Sequence, residues 1–257
     1  AAVRQRLTQL VRNQILDEAM MQNLLNAHLP DLGPQQRKRI MDAAAVAAYH
    51  AEIEFPVVKL LVCDDAPQFK GVTEKLALCW VHEGRHYKKL TPYVAYHRQS
   101  LKDFLESFWD YYDELLTYRQ APTREERERL AAKFNDLFST RTVYNALDDR
   151  IAKTKAKKDY LLMVLEHPEI PLHNNPVELE ARRRVRKRDV SFGPRTDGGR
   201  RAWDTFQTLA ATTKKLGLSF FDYIHDRVSK ANHIPGLDSL IAEQAKRLNL
   251  GMSWNTS

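Results

Sequence analysis

The sequence has only two cysteines, Cys63 and Cys79, among its 257 residues. Two cysteines give no disulfide framework, which favours a protein of the reducing cell interior. The sequence also lacks a signal peptide, an apolar run long enough to cross a membrane, internal repeats and low-complexity linkers. We therefore expect a cytoplasmic globular protein. Because the chain begins with Ala1 rather than Met, we also expect a fragment, a processed form or a trimmed chain.

Positive charge is in excess. The formal net charge is +7 and the pI is about 9.3, in a chain that is otherwise ordinary at 43% hydrophobic and 28% charged residues. Such an excess suits a polyanionic partner. The cations are concentrated between His173 and Arg201, where nine Lys or Arg residues stand against four acids. This stretch is the first candidate for a nucleic-acid contact.

Apolar residues at helical spacing predict that most of the chain is α-helical. Pro, Gly and capping residues divide this pattern into nine helices. The predicted helices cover residues 1–29, 35–53, 100–118, 123–138, 143–165, 178–188, 200–216, 220–228 and 237–248. Asp17 and Glu18, on the first helix, could be catalytic, but acids on a helix are usually solvated. The aromatic residues of helix 100–118 are expected in the core rather than on a base-stacking surface.

Residues 55–63 differ from the rest because they form a short, nearly continuous apolar run with valines. This pattern predicts a buried strand. Asp64 and Asp65 follow it directly, and acids at the carboxyl end of a buried strand are well placed for chemistry. The residues Asp-Asp-Ala-Pro also favour a turn, so a turn without a catalytic role is the alternative. Residues 75–82 are predicted to form a second strand.

The segment after the second predicted strand is rich in polar residues. Cys79, His82 and His86 have spacings that could suggest a metal site. No second pair of Cys or His residues lies at the sequence spacing typical of zinc fingers, so zinc is not expected. We interpret His82 and Arg85 instead as residues near the acids or the nucleic-acid backbone.

Glu178 lies just inside the start of the basic helix. Asn175 can cap this helix and Pro176 fits its first turn. A negative charge is favoured in a first helical turn, and that alone would explain Glu178. Arg182 and Arg186 fall on the same face at i+4 spacing.

Four stretches together resemble a family. HNNPVELEARRRVRKRDVSFG and RTDGGRRAWDTFQTLAATTKKLGLSFFDYI are similar to the C-terminal half of bacterial insertion-sequence transposases of the sixty-six type, which have a DDE core. LLVCDDAPQF resembles the strand that carries the second acid of that core, and LALCWVHEGRHYKKL resembles the Cys-Trp-x-His segment after it. The resemblance covers Val57 to Val228.

The resemblance implies an α/β fold with a ribonuclease H-like core, only part of whose sheet falls in this chain, and a large helical insertion that makes the chain predominantly α-helical. It makes Asp64 the second acid, with Asp65 as its substitute, and Glu178 the third. Both acids would be catalytic and would bind Mg²⁺ or Mn²⁺. The first acid and three strands would lie upstream of Asp64, where we find helices and no Asp on a strand.

The implied organisation has five parts: an N-terminal helical segment (1–54), a core strand segment with the second acid (55–90), a helical insertion (91–167), the core helix with the third acid and the basic DNA-binding segment (168–230), and a C-terminal helix and tail (231–257).

The activity implied is metal-dependent phosphodiester cleavage and strand transfer at transposon ends. The enzyme would be nucleoid-associated and would act on transposon-end and target DNA, with homodimers possible. The predicted DNA-binding residues are His82, Arg85, Arg182, Arg186, Lys187, Arg188, Arg195 and Arg200. The alternatives are a non-catalytic DNA-binding remnant that uses helix 178–188, and a helical RNA- or protein-interaction module.

Overall fold

The structure is a computed structural model that describes residues 2–10, 16–53 and 57–247. It divides into two compact units, one that ends at Val57 and one that begins at Val58.

The first unit is helical. Its helices are α1 (Ala2–Leu10), α2 (Glu18–His28) and α3 (Pro34–His50). The prediction of one continuous helix over residues 1–29 is wrong, because Asp17 caps α2: its Oδ1 accepts from the backbone N of Met20 at 2.7 Å. Residues 11–15 lie outside the described residues. Asp17 thus has a structural role as an N-cap.

The second unit contains two short parallel strands, β1 (Leu60–Cys63) and β2 (Lys75–Leu78), with Cys63 paired to Leu78. The first strand is shorter than predicted, and residues 55 and 56 lie outside the described residues. The second predicted strand is wrong over residues 79–82, because a helix, α4 (Trp80–Lys88), begins there. The buried residues of α4 are Trp80, Glu83, Gly84 and Tyr87. Their spacing of three and four is helical, and it overrides the β-like composition.

Eight further helices follow α4 in the part of the chain that the structure describes. They are α5 (Ala95–Gln120), α6 (Arg124–Leu137), α7 (Asn145–Lys155), α8 (Lys158–Leu161), α9 (Asn175–Ser191), α10 (Asp197–Lys215), α11 (Phe220–Val228) and α12 (Leu237–Arg247). The helix predicted over 143–165 is interrupted at residues 156 and 157 and ends in a 3₁₀ turn, Leu162–Leu165. Thr123 caps α6, since its Oγ1 accepts from the backbone N of Glu126 at 3.2 Å. Leu248 lies outside the described residues.

The main core is aromatic. Trp80 is fully buried and packs against Phe108, Tyr111 and Phe134, with ring centroids 5.5 to 6.3 Å apart. Its indole Nε1 donates to the carbonyl oxygen of Leu161 at 2.9 Å, so the polar end of the ring is satisfied. The aromatic residues of α5 are therefore largely core, as predicted.

The helical predominance expected from the sequence is confirmed, whereas a ribonuclease H-like core is not. Across residues 2–10, 16–53 and 57–247, the sheet consists of β1 and β2 alone. A two-stranded sheet needs packing from other elements to be stable, and here β2 contacts α8 and the 3₁₀ turn after it. None of the described helices has the length and apolarity that crossing a bilayer would require.

Candidate metal and nucleic-acid site

The turn after β1 presents two neighbouring acids. Asp64 directly follows the last strand residue, and its Oδ1 accepts from the backbone N of Ala66 at 3.3 Å. The strand-end and turn interpretations of this segment therefore both apply. Asp64 is half-buried and lines a cleft of about 270 Å³. The cleft is also lined by Asp65, Ala66, Leu78, Cys79, His82, Glu83 and His86.

The two acids differ in their partners. The Nζ of Lys157 lies 2.8 Å from Oδ2 of Asp65 and 3.1 Å from Oε2 of Glu83. Asp64 has no ion pair with any residue that the structure describes. Asp64 is thus the carboxylate of this turn that is free of a competing cation.

Glu178 lies in the first turn of α9, which begins at Asn175 with Pro176 in the first turn. The capping position belongs to Asn174, whose carbonyl oxygen accepts from the backbone N of Glu178 at 3.2 Å. The prediction that Asn175 caps the helix is wrong, because Asn175 is already helical. The Glu178 side chain is only 23% exposed.

Two residues of α4 face the Glu178 carboxylate. Its Oε1 lies 3.2 Å from Nε2 of His82, and its Oε2 lies 3.5 Å from Nη1 of Arg85. The same Arg85 nitrogen lies 3.0 Å from Nε2 of His82. A guanidinium can only donate, so Nε2 of His82 is the acceptor in this contact, and its Nδ1 is buried without a hydrogen-bond partner among the described residues. Glu178 Oε1 is consequently buried without a hydrogen bond to any described residue.

His82 connects the two acids, because it lines the cleft with Asp64 and touches Glu178. A buried carboxylate oxygen without a hydrogen bond and an unpaired aspartate are suitable hard donors for Mg²⁺ or Mn²⁺. These two acids supply only part of the ligand set of such a metal site. No group of three or more His, Cys, Asp or Glu side chains in the described ranges is arranged to hold a metal ion.

A buried charge cluster borders the cleft, and the sequence analysis missed it. Glu83 is 3% exposed, and the Thr154 hydroxyl donates to its Oε1 at 2.6 Å. Arg150 also pairs with Glu83. Burial alone would raise the pKa of Glu83, but the Thr154 hydrogen bond and the charges of Arg150 and Lys157 outweigh it, so the pKa lies below its usual value. The signal in the sequence was the position of Glu83 three residues after Trp80, on the buried face of α4.

Burial also shifts the pKa values of Cys63 and His86. Burial raises the pKa of Cys63 to about 11, with Asp64 and Asp65 adding to the effect. Burial, followed by the charge of Arg150, lowers the pKa of His86. His86 is therefore a neutral base in the cleft near neutral pH.

The cations of α9 form two groups. Some are engaged: Arg183 with Glu180 at 2.6 Å, Arg184 with Asp204, and Lys187 with Gln207 at 3.0 Å. Of the other predicted DNA contacts, Arg182 lies 3.9 Å from Glu178, and Arg200 pairs with Asp197. Among the predicted DNA contacts, the exposed guanidiniums without an ion pair to any described residue are those of Arg186, Arg188 and Arg195.

Comparison with known proteins identifies the family. The model of the Transposase IS66 family matches residues 43–202. An uncharacterized protein of Sinorhizobium fredii, y4jO, is 37% identical over 187 residues, which cover 72% of this chain and 58% of that protein. The chain thus spans less than two thirds of the length of this relative, and no solved structure matches it. Since the family model covers more than half of the sequence, the chain belongs to the IS66 family of insertion-sequence transposases.

Proposed function

We propose that this chain is part of the catalytic core of a transposase that cleaves and joins DNA phosphodiester bonds, with Asp64 and Glu178 as ligands of a divalent metal ion. One observation carries the proposal. His82 lines the Asp64 cleft and lies 3.2 Å from Glu178, so one residue of α4 borders both acids. Membership of the IS66 family supports the reaction class.

The chain's own residues would hold the metal and the phosphate. When bound, Mg²⁺ or Mn²⁺ supplies Lewis-acid stabilisation of the attacking and leaving oxygens. Asp64 and Glu178 would each contribute a carboxylate, and the first acid of the core would come from outside the described residues. Arg85 is 42% exposed beside Glu178 and would donate to a phosphate oxygen of the scissile group. The reaction joins a water or 3′-hydroxyl oxygen to phosphorus and breaks the bond to the leaving 3′-oxygen, which takes up a proton.

The exposed arginines of α9 and the following turn would bind the DNA backbone. Arg186, Arg188 and Arg195 need not break an ion pair with a described residue to contact a phosphate. Counterion release on such contact provides affinity without sequence preference. DNA at transposon ends, target DNA and a second copy of the protein are the partners in this proposal, and the bacterial nucleoid is its location.

A non-catalytic DNA-binding remnant is the second candidate. The absence of a three-ligand group among the described residues favours it. A remnant would bind DNA equally well with a chelator present and would tolerate loss of the Glu178 carboxylate.

Nicking of supercoiled plasmid with Mg²⁺ or Mn²⁺ tests the proposal. D64N and E178Q are expected to lower the metal-dependent nicking rate by about a hundredfold, because each removes a carboxylate that holds the metal. E180Q is the matched control, since Glu180 lies on the same helix and pairs with Arg183. Mn²⁺ affinity, read by electron paramagnetic resonance, should fall in the same two variants. If nicking and Mn²⁺ affinity are the same in D64N, E178Q and the unchanged chain, the assignment is wrong.

A further inference from the structure

Lys157 connects the turn after β1 to the buried charge cluster. Its Nζ is 2.8 Å from Oδ2 of Asp65 and 3.1 Å from Oε2 of Glu83. The lysine side chain is 18% exposed, and that of Glu83 is 3% exposed. A cation so largely removed from water is held strongly by its two carboxylates.

Glu83 holds Lys157 in place because it is itself fixed. Arg150 and Thr154 both donate to its Oε1, and this leaves Oε2 for the lysine. The Thr154 hydroxyl also lies 2.5 Å from the hydroxyl of Tyr87, which is fully buried. The lysine therefore reaches Asp65 from a rigid support.

The backbone of Lys157 is fixed as well. It lies at the interruption between α7 and α8, where its carbonyl oxygen accepts from the backbone N of Tyr160 and of Leu161 at 3.1 and 3.0 Å. Neither end of the lysine is then free to follow the Asp65 carboxylate if that group turns away from the ammonium.

Asp64 and Asp65 are adjacent and both line the cleft, yet of the two only Asp65 pairs with a cation of the described residues. A lysine ammonium at hydrogen-bond distance competes with a metal ion for the carboxylate oxygens. We propose that Lys157 is a positioning residue that keeps Asp65 out of metal binding and leaves Asp64 as the ligand from this turn. This inference rests on the proposed function, because it assumes that Asp64 binds the metal.

Removal of the lysine charge should release Asp65 to act as a ligand. The test is Mn²⁺ affinity, read by electron paramagnetic resonance and calorimetry, in D64N, K157M and the double variant. With Lys157 present, D64N should weaken Mn²⁺ binding by about tenfold or more. In the K157M background, D64N should weaken it by no more than about threefold, because Asp65 replaces Asp64. K153M is the matched control, as Lys153 is an exposed lysine of α7, and D64N should remain deleterious beside it.

Loss of a purely structural contact could not rescue D64N, so rescue supports the positioning role. Equal weakening by D64N in both backgrounds would overturn it while leaving the metal assignment intact. No effect of D64N with Lys157 present would overturn the assignment of Asp64 and this inference with it.

D65N provides a second measurement if K157M does not fold. With Lys157 in place, D65N should change Mn²⁺ affinity by less than about threefold, because Asp65 is not a ligand. A tenfold loss in D65N would show that Asp65 binds the metal directly and would contradict the proposal.

Discussion

At the scale of single residues, Gly84 has a role that depends on its lack of a side chain. It lies on α4 between Glu83 and Arg85, where the Trp109 indole of α5 packs against the helix. A Cβ at this position would come within 2.7 Å of Cζ2 of Trp109 and 3.2 Å of Cε1 of Phe108. Gly84 therefore sets how closely α4, which carries His82 and Arg85, approaches α5.

We expect G84A to destabilise the protein by about 1–3 kcal/mol, because the added methyl group forces Trp109 and α4 apart. The expectation holds even though alanine favours a helix over glycine by about 1 kcal/mol. Urea unfolding followed by circular dichroism measures the change. G198A is the control, because a Cβ there meets nothing within 4 Å. It should be neutral or slightly stabilising, and equal stability of the two variants would contradict the packing argument.

Single residues also mark where prediction from sequence stops. Asp64 could be predicted from the sequence as a candidate site residue, because an apolar run that ends in polar residues is a local pattern. The pairing of Asp65 with Lys157 could not be predicted in this way, because it joins residues that are distant in the chain and depends on how α7 packs on α4. Whether an acid at a strand end is paired is decided by tertiary contacts, which local spacing does not encode.

At the scale of elements, α9 combines an acid in its first turn with a solvated basic surface. None of its described side chains is fully buried. Arg183, Arg184, Arg186 and Arg188 are all exposed, but the first two are paired with Glu180 and Asp204, whereas the last two have no ion pair with a described residue. Arg186 and Arg188 should therefore contribute more to a DNA complex than the engaged pair.

R186A/R188A is expected to reduce the salt dependence of binding to duplex DNA. Each lost phosphate contact lowers the log–log slope by about 0.9, so the double variant should lose about 1.8. Fluorescence anisotropy over a series of salt concentrations measures the slope. R183A/R184A removes the same number of charges from the same helix and should change the slope less. Equal slopes for the two double variants would mean that the ion pairs do not determine which arginines bind DNA.

The elements themselves were predicted unevenly. Helices with clear caps or Gly stops, such as α6 and α11, have bounds close to those expected, because capping chemistry is local. The second strand was extended too far because KLALCWVH has a strand-like composition, while burial of Trp80 and Tyr87 selects a helix after Cys79. Tertiary packing decides such short ambiguous runs.

At the scale of the whole second unit, the Glu83 cluster ties together three separate segments: the turn after β1, α4 and α7. It contains two acids and two cations, with Glu83 at its centre. The cluster should therefore make the stability of this unit depend on pH.

The pKa of Glu83 is lowered in the folded protein from 4.5, so the folded state binds fewer protons there than the unfolded state. Its contribution to stability is present above pH 4.5 and is lost as pH falls through the lowered pKa of the folded state. We expect E83Q to be destabilised by about 3 kcal/mol at neutral pH, because Arg150 and Lys157 lose a buried partner. We also expect E83Q to lose part of the acid dependence of stability.

Thermal and urea unfolding across the range from neutral pH to below pH 4.5 measures both effects. E125Q is the control, because Glu125 is exposed in the first turn of α6. An acid dependence in E83Q as steep as in the unchanged chain would mean that other carboxylates account for it.

The overall fold was predicted only in its helical character. The resemblance implied a ribonuclease H-like sheet, but the described residues before β1 are mainly helical, and the described chain contributes two strands. Periodicity can identify the helices that are present. Strand pairing joins segments that are distant in the chain, and local periodicity does not encode it.

The position of the core has a consequence for how sequences of this kind can diverge. Its buried cluster runs from Leu60 to Leu172 and ends before Glu178. The described residues after it, from 175 to 247, bury only Thr213, Tyr223 and Asp226. Most substitutions there remove little buried apolar surface and so lower the free energy of unfolding only slightly. This basic segment can thus change surface residues at little cost to the folding of the core.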